Sequence, residues 1–238
     1  MSPPEPQKVV IITGASQGIG VGLVEAFRGA GHAVVGAARS MPLSNESDYA
    51  TVAGDIVDPA TSEQVVGEAL DRFGRVDTLI NNAGIYIGKP FTDCSAEEYD
   101  TIITVNLGGF FHITQRAIRQ MVDQGTGHIV NISTSLVDRA DSSRPCALTA
   151  LTKGGLAAVA WSLAIEYASR GVRVNAVSLG VIRTPAHDED SYAGMAALHP
   201  LGRLGEVSDV VDGILYLERA TFVTGEVLHI DGGQSAGD

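Results

Sequence analysis

The sequence predicts an α/β fold: a doubly wound parallel β-sheet with helices on both faces. Two observations carry that prediction. Short apolar, β-branched runs alternate along the chain with stretches of helical periodicity roughly 10 to 20 residues long, the pattern of parallel strands joined by crossover helices. The 238 residues also include 28 glycines, well above the usual share of about 7%, and Gly14, Gly18, Gly20 and Gly84 all follow the ends of predicted strands.

Each element has its own reason. The run K-V-V-I-I-T at 8–13 reads as a strand buried on both faces, because a covered parallel strand has no polar alternate positions. Positions 19–30 have helical spacing, with Ile19, Leu23, Ala26 and Phe27 on one face, and Gly31 ends them. A second strand follows at 33–37 and a weaker one near 50–53. The helix at 61–73 takes Asp58 as its cap ahead of Pro59. The next strand is 76–80. A long helix should cover much of 96–124, ahead of a strand at 128–132. Helix 149–169 leads to strand 172–177, and helix 206–219 to strand 226–230. No linker or repeat interrupts the alternation, so 1–238 reads as a single domain with a flexible, proline-rich start at 1–7. The exception is 183–199, polar, weakly periodic and long for a loop, where a substrate lid would sit.

Composition narrows the function classes. With 16 basic and 28 acidic side chains the formal charge is −12, a field that repels polyanions, so nucleic acid and anionic membranes are not expected partners. A 45% apolar, 18% charged chain is a globular balance, and no apolar run approaches the roughly 20 residues needed to cross a bilayer. The start lacks the basic and apolar regions of a signal peptide, from which a cytoplasmic location is expected. Cys94 and Cys146 are too few for a disulfide framework. The six histidines show no metal-ligand spacing, so no metal site is expected.

Thr13-Gly14-Ala15-Ser16-Gln17-Gly18-Ile19-Gly20 joins the first strand to the first helix, the context a glycine motif needs to bind a dinucleotide. Gly14 permits the tight turn, Gly18 lets a pyrophosphate approach the backbone, and Gly20 lets helix and strand pack closely. The helix N-terminus offers unpaired N–H groups to phosphate.

This G-x-x-x-G-x-G spacing, with Asn81-Asn82-Ala83-Gly84 after the 76–80 strand, resembles the short-chain dehydrogenase/reductase family. Further matches are Asp55 in G-D-I, Asn106 in T-V-N, G-H-I-V-N-I-S at 127–133, Lys153, R-V-N-A-V at 173–177 and I-D-G-G at 230–233, so the resemblance spans about 8–233. It implies a Rossmann-like fold, a nucleotide-binding oxidoreductase, and hydride transfer between a nicotinamide and a small carbonyl or alcohol. NAD-specific members place an acid at the end of the second strand. Here Gly36-Ala37-Ala38-Arg39-Ser40 has Ala38 at that position, and Arg39 can pair with a 2′-phosphate, so NADP(H) is expected. The resemblance places Ser16, Gln17, Ile19 and Ser40 among the cofactor contacts, Asp55 and Ile56 beside the adenine, Asn82, Ala83 and Gly84 along the ribose, Lys153 on the nicotinamide ribose, and Ile182 and Thr184 at the carboxamide. The family's S-P-G reads Ser178-Leu179-Gly180, which implies a less rigid loop there. Members are commonly homotetramers, so a homo-oligomer, tetramer or dimer, is implied through 96–124, 149–169 and the last strand.

The family reacts with a tyrosine that gives the proton, a lysine four residues on, a serine that positions the substrate oxygen and an asparagine that sustains a water relay. Lys153 and Asn106 match. Counting back four from Lys153 arrives at Thr149, and no tyrosine lies in 145–153. The residue matching the serine is Thr134, with Ser135 one step away. An aliphatic hydroxyl is a far weaker acid than a phenol, and general acid–base catalysis is worth about 10² to 10⁴ in rate. Three explanations stand open: another acid such as Tyr86, or Tyr192 in the 183–199 segment, substitutes; Lys153, or water held by Asn106 and Lys153, protonates the product; or the protein binds NADP(H) with little or no turnover, as a sensor or partner subunit.

Overall fold

The computed structural model describes residues 6–44, 46–186 and 188–237. Most of the 1–7 segment, and His187 within 183–199, lie outside the described residues. Seven parallel strands form one sheet, in the order β3-β2-β1-β4-β5-β6-β7. In chain order the elements are β1 (Val9–Thr13), α1 (Gly18–Gly29), β2 (Ala33–Ala38), β3 (Tyr49–Ala53), α2 (Pro59–Phe73), β4 (Thr78–Asn81), α3 (Ala96–Ile103), α4 (Gly109–Gln124), β5 (Gly127–Thr134), α5 (Ala147–Tyr167), β6 (Val172–Leu179), α6 (Tyr192–Ala196), α7 (Val207–Arg219) and β7 (Val227–Ile230).

The apolar runs are buried on both faces, as parallel strands require. Val9 and Ile11 of β1 point into a core closed by α2, α4 and α5 through Val65, Ala69, Ile113, Ala117, Ala160 and Ala164. Val10 and Ile12 point the other way, into a core closed by α1 and α7 through Leu23, Phe27, Val210 and Ile214. Asp58 caps α2 by accepting from the Ala60 amide, with Pro59 in the first turn.

Three expectations are corrected. Positions 96–124 are not one continuous helix: Thr104–Gly108 is a π-helical turn between α3 and α4. Such single-turn insertions mark places where a side chain is re-aimed, often at functional sites, and this one contains Asn106. The fourth strand starts at Thr78 instead of 76 because the Val76 amide and carbonyl are held by the Gln124 side chain. Finally, Ala147–Arg170 is long and apolar enough, by length and composition, to cross a membrane, with mean hydropathy 1.4. It nevertheless lies along the sheet with Leu148, Leu156, Ala160 and Ala164 buried, and it carries Lys153 in its second turn.

Candidate active site

The carboxyl ends of β2, β1 and β4 meet where the strand order reverses, the place where open α/β sheets form a ligand crevice. Between β1 and α1 the chain turns through Gly14 (φ +68°) and Gly18 (φ +55°), conformations that glycine adopts without strain. A β-carbon on Gly14 would lie 2.9 Å from Asn82 Nδ2, and one on Gly20 would overlap the Gly14 carbonyl oxygen. Asn82 is the staple between strands: its Nδ2 donates to the Thr13 and Gly14 carbonyls at 2.9 and 3.1 Å. Thr13 Oγ1 accepts from the Asn82 and Ala83 amides at 3.1 and 3.0 Å. At the start of α1, Gln17 makes no side-chain capping bond and no acid occupies the first turn. The positive end of that helix therefore faces the crevice uncompensated.

The crevice encloses a cavity of about 450 Å³. Of the expected cofactor contacts, Gly14, Ser16, Gln17, Gly18, Ile19, Arg39, Ser40, Asp55, Ile56, Asn82, Ala83, Gly84 and Thr184 all line it. Gly20 packs behind the loop, and Lys153 approaches Gly84 from α5. Ile182 is placed differently: its buried side chain lies against Gly205 and lines a second cavity of about 430 Å³. Arg39 is exposed at the end of β2 and has no carboxylate partner among the described residues.

At the other end of the crevice the polar side chains are committed. Lys153 Nζ donates to the Ile132 carbonyl at 3.0 Å, and burial lowers its pKa to about 8. Asn106, buried in the π turn, donates to the Ile85 carbonyl (3.0 Å) and to Thr152 Oγ1 (3.0 Å), while its Oδ1 accepts from the Ile85 amide (2.8 Å). The two groups converge on one point: a β-carbon placed on Gly84 would lie 2.8 Å from Lys153 Nζ and 3.0 Å from Asn106 Oδ1.

The hydroxyls behave differently from one another. Thr149, only 2% exposed, accepts from the Ile87 amide at 2.8 Å and donates to the Ile87 carbonyl at 3.1 Å. That leaves it no proton to offer outward. Ser135, 1% exposed, donates to Gln234 Oε1 at 2.8 Å. Thr134 ends β5, is only partly buried, and accepts a long 3.4 Å contact from the Leu136 amide, so its own proton is free to donate. Tyr86 is 56% exposed, with its phenol over Gly88; burial and then Cys146 raise its pKa, against Arg144. Tyr192 stacks under the Arg183 guanidinium, 4.8 Å from ring centroid to Cζ.

Sequence reasoning missed several lining residues, among them Thr13, Thr61, Ile85 and Val105. Thr13 stood inside the glycine motif and its hydroxyl was a readable signal. The backbone partners Ile85 and Ile87 left none, because only the fold brings them to Asn106 and Thr149.

A family model described as enoyl-(acyl carrier protein) reductase matches residues 14–235. A 3-oxoacyl-(acyl-carrier-protein) reductase, FabG, of Salmonella typhimurium is 35% identical over 237 residues, covering 95% of this chain and 96% of that protein. Among solved structures, ElxO with NADP bound superposes with a TM-score of 0.90 at 28% identity, covering 97% of this chain and 100% of that one. A 3-ketoacyl-(acyl-carrier-protein) reductase of Brucella melitensis complexed with NADH gives a TM-score of 0.87 at 30% identity, covering 97% and 99%.

Proposed function

The chain belongs to the short-chain dehydrogenase/reductase family, and from that premise we propose an NADP(H)-dependent oxidoreductase acting on a small carbonyl or alcohol, with proton delivery moved away from position 149. The observation that carries the proposal is the convergence of Lys153 Nζ and Asn106 Oδ1 on Gly84, at the end of a crevice whose other end holds Arg39.

The residues present fit a dinucleotide phosphate. Gly14 and Gly20 have no room for β-carbons, the α1 N-terminus is uncompensated, and Arg39 is a cation without a partner among the described residues. NADP and NADH both occur among the solved relatives, so the choice rests on this chain's own residues: Ala38 accepts nothing from a ribose hydroxyl, while the planar Arg39 fork suits a 2′-phosphate. Gly14, Ser16, Gln17, Gly18 and Ile19 would hold the phosphates, Asp55 and Ile56 the adenine side, and Asn82, Ala83, Gly84 and Thr184 the nicotinamide side.

A nicotinamide bound there supplies or accepts hydride at a substrate carbon. The chain's residues do the rest. Thr134 donates to the substrate oxygen, since its proton is free and that of Ser135 is held by Gln234. Thr149 braces Ile87 and does not titrate. Lys153, at about 8, holds a proton that it can release near neutral pH, directly or through water ordered with Asn106. Tyr86 is the poorer acid, because its surroundings raise the phenol where a proton donor needs lowering.

The chain as one domain over 1–238, the 183–199 segment as substrate lid, and a cytoplasmic location complete this reading. A homodimer or homotetramer through α4, α5 and β7 fits Phe111, Leu151, Trp161 and Ile165, which stand exposed on α4 and α5. The bound state of Thr149 favours a second reading, an NADP(H)-binding sensor or partner subunit without efficient turnover.

NADPH titration by fluorescence, followed by NADPH oxidation over a panel of ketones, aldehydes and 3-oxoacyl thioesters, separates the two. Turnover that Lys153→Ala abolishes supports the enzyme. Tight NADPH binding with no oxidation on any substrate supports the binding protein.

A further inference from the structure

We infer that His199 is a positioning residue for the segment 181–184, which leads into the crevice at Thr184: its imidazole fixes the backbone that brings Thr184 across the glycine loop. The inference rests on the NADP(H) reading above for its consequence, but not for its geometry.

His199 is 3% exposed and both ring nitrogens are used. The Val181 amide donates to Nε2 at 3.0 Å, and Nδ1 lies 3.0 Å from the Met195 carbonyl. An amide can only donate and a carbonyl only accept, so the partners assign one neutral tautomer, with the proton on Nδ1. The ring has a seat made for it: a β-carbon on Gly180 would lie 2.7 Å from Nε2, and one on Gly232 3.2 Å from His199 Cβ.

Val181 is thereby held from both sides, because its carbonyl accepts from the Gly205 amide at 3.0 Å. Two residues on, the Arg183 amide donates to the Gly205 carbonyl at 2.8 Å. The next side chain is Thr184, whose Cγ2 would lie 3.3 Å from a β-carbon on Gly18. Leu179, the last residue of β6, lacks the ring by which a proline would lock φ just ahead of this segment. The rigidity expected to be missing is supplied from outside the segment, by the His199 ring.

Three variants separate the two nitrogens. His199→Gln can place an acceptor near Nε2, His199→Asn a donor near Nδ1, and His199→Phe keeps ring volume with neither. Amide hydrogen exchange at Val181 in the cofactor-free protein reads the geometry directly. Exchange should speed up about tenfold in Asn and Phe, the effect of one hydrogen bond lost, and stay near the parent in Gln. In parallel, the Kd and KM for NADPH should rise about tenfold in Asn and Phe with kcat changed less than twofold, and Gln should restore them. Thr184→Ala should weaken NADPH binding in the parent and add nothing in His199→Asn. Equal Val181 exchange in Gln and Asn, or independent effects of Thr184→Ala and His199→Asn, would overturn the inference. Should the Phe variant not fold, the Gln and Asn pair still decides it. A parent that binds no NADPH would defeat the functional reading, while the exchange comparison would still judge His199.

Discussion

At the phosphate end of the crevice the chain leaves its polar groups open: the α1 N-terminus has no side-chain cap, and Arg39 has no partner among the described residues. At the reaction end it binds nearly all of them internally, with Thr149 on Ile87, Ser135 on Gln234 and Asn106 on Ile85. Open polar groups are available to a ligand; satisfied ones hold shape. One end leaves its charge-seeking groups open, whereas the other ties up most of its polar side chains as braces; on the proposed function, Lys153 and Thr134 are the groups left for chemistry there.

Removing Lys153 should break that contrast most. Lys153→Ala is expected to lower kcat/KM by about 10² to 10⁴, the worth of a general acid, measured as NADPH oxidation on the best substrate of the panel. Arg39→Ala should act at the opposite end, raising the NADPH Kd by about 10- to 100-fold, the loss of a charge-assisted contact, with NADH affinity little changed. Should Arg39→Ala leave NADPH binding intact, the phosphate end is not read by this residue.

A third test concerns the amino ends of the central strands β4 and β5, remote from both ends of the crevice. Glu218 accepts from Thr78 and His128 and pairs with Lys8. Burial works against its charge, but the His128 and Lys8 contacts win and lower its pKa from 4.5 to about 2. Burial lowers His128 below 6.5, so it stays neutral and donates from Nδ1. In both cases the unfolded chain binds protons first, so stability rises with pH across the window between folded and unfolded values. It should be full above about pH 6.5 and fall below it, with the Glu218 part lost from about pH 4.5 towards 2. Thermal unfolding against pH checks this, at roughly 2–4 °C per kcal/mol for a chain this size, and Glu218→Gln should flatten the curve below pH 4.5.

Much of this was legible before the fold. The strand runs, Asp58 ahead of Pro59, and the glycine motif carry their geometry in local residue types, so the lining of the crevice at its glycine end could be read nearly residue by residue. The reaction end could not. Asn106 was identifiable, but neither the π turn that holds it nor its partners Ile85 and Thr152, far off in sequence, leaves a local signal. The same holds for Thr149: the sequence shows a hydroxyl four residues before Lys153, and only the packing of 85–87 against α5 shows that hydroxyl already bound at both ends.

On the proposed function, Thr149 braces the site and does not supply the proton. The direct measurement is kcat/KM for NADPH oxidation by Thr149→Val beside the parent, with thermal unfolding as the companion. Leaving the Ile87 amide and carbonyl unpaired should cost about 1–3 kcal/mol of stability, while kcat/KM stays within about twofold and the pH profile still breaks near 8. A loss of a hundredfold or more in a folded Thr149→Val protein would return the proton to Thr149.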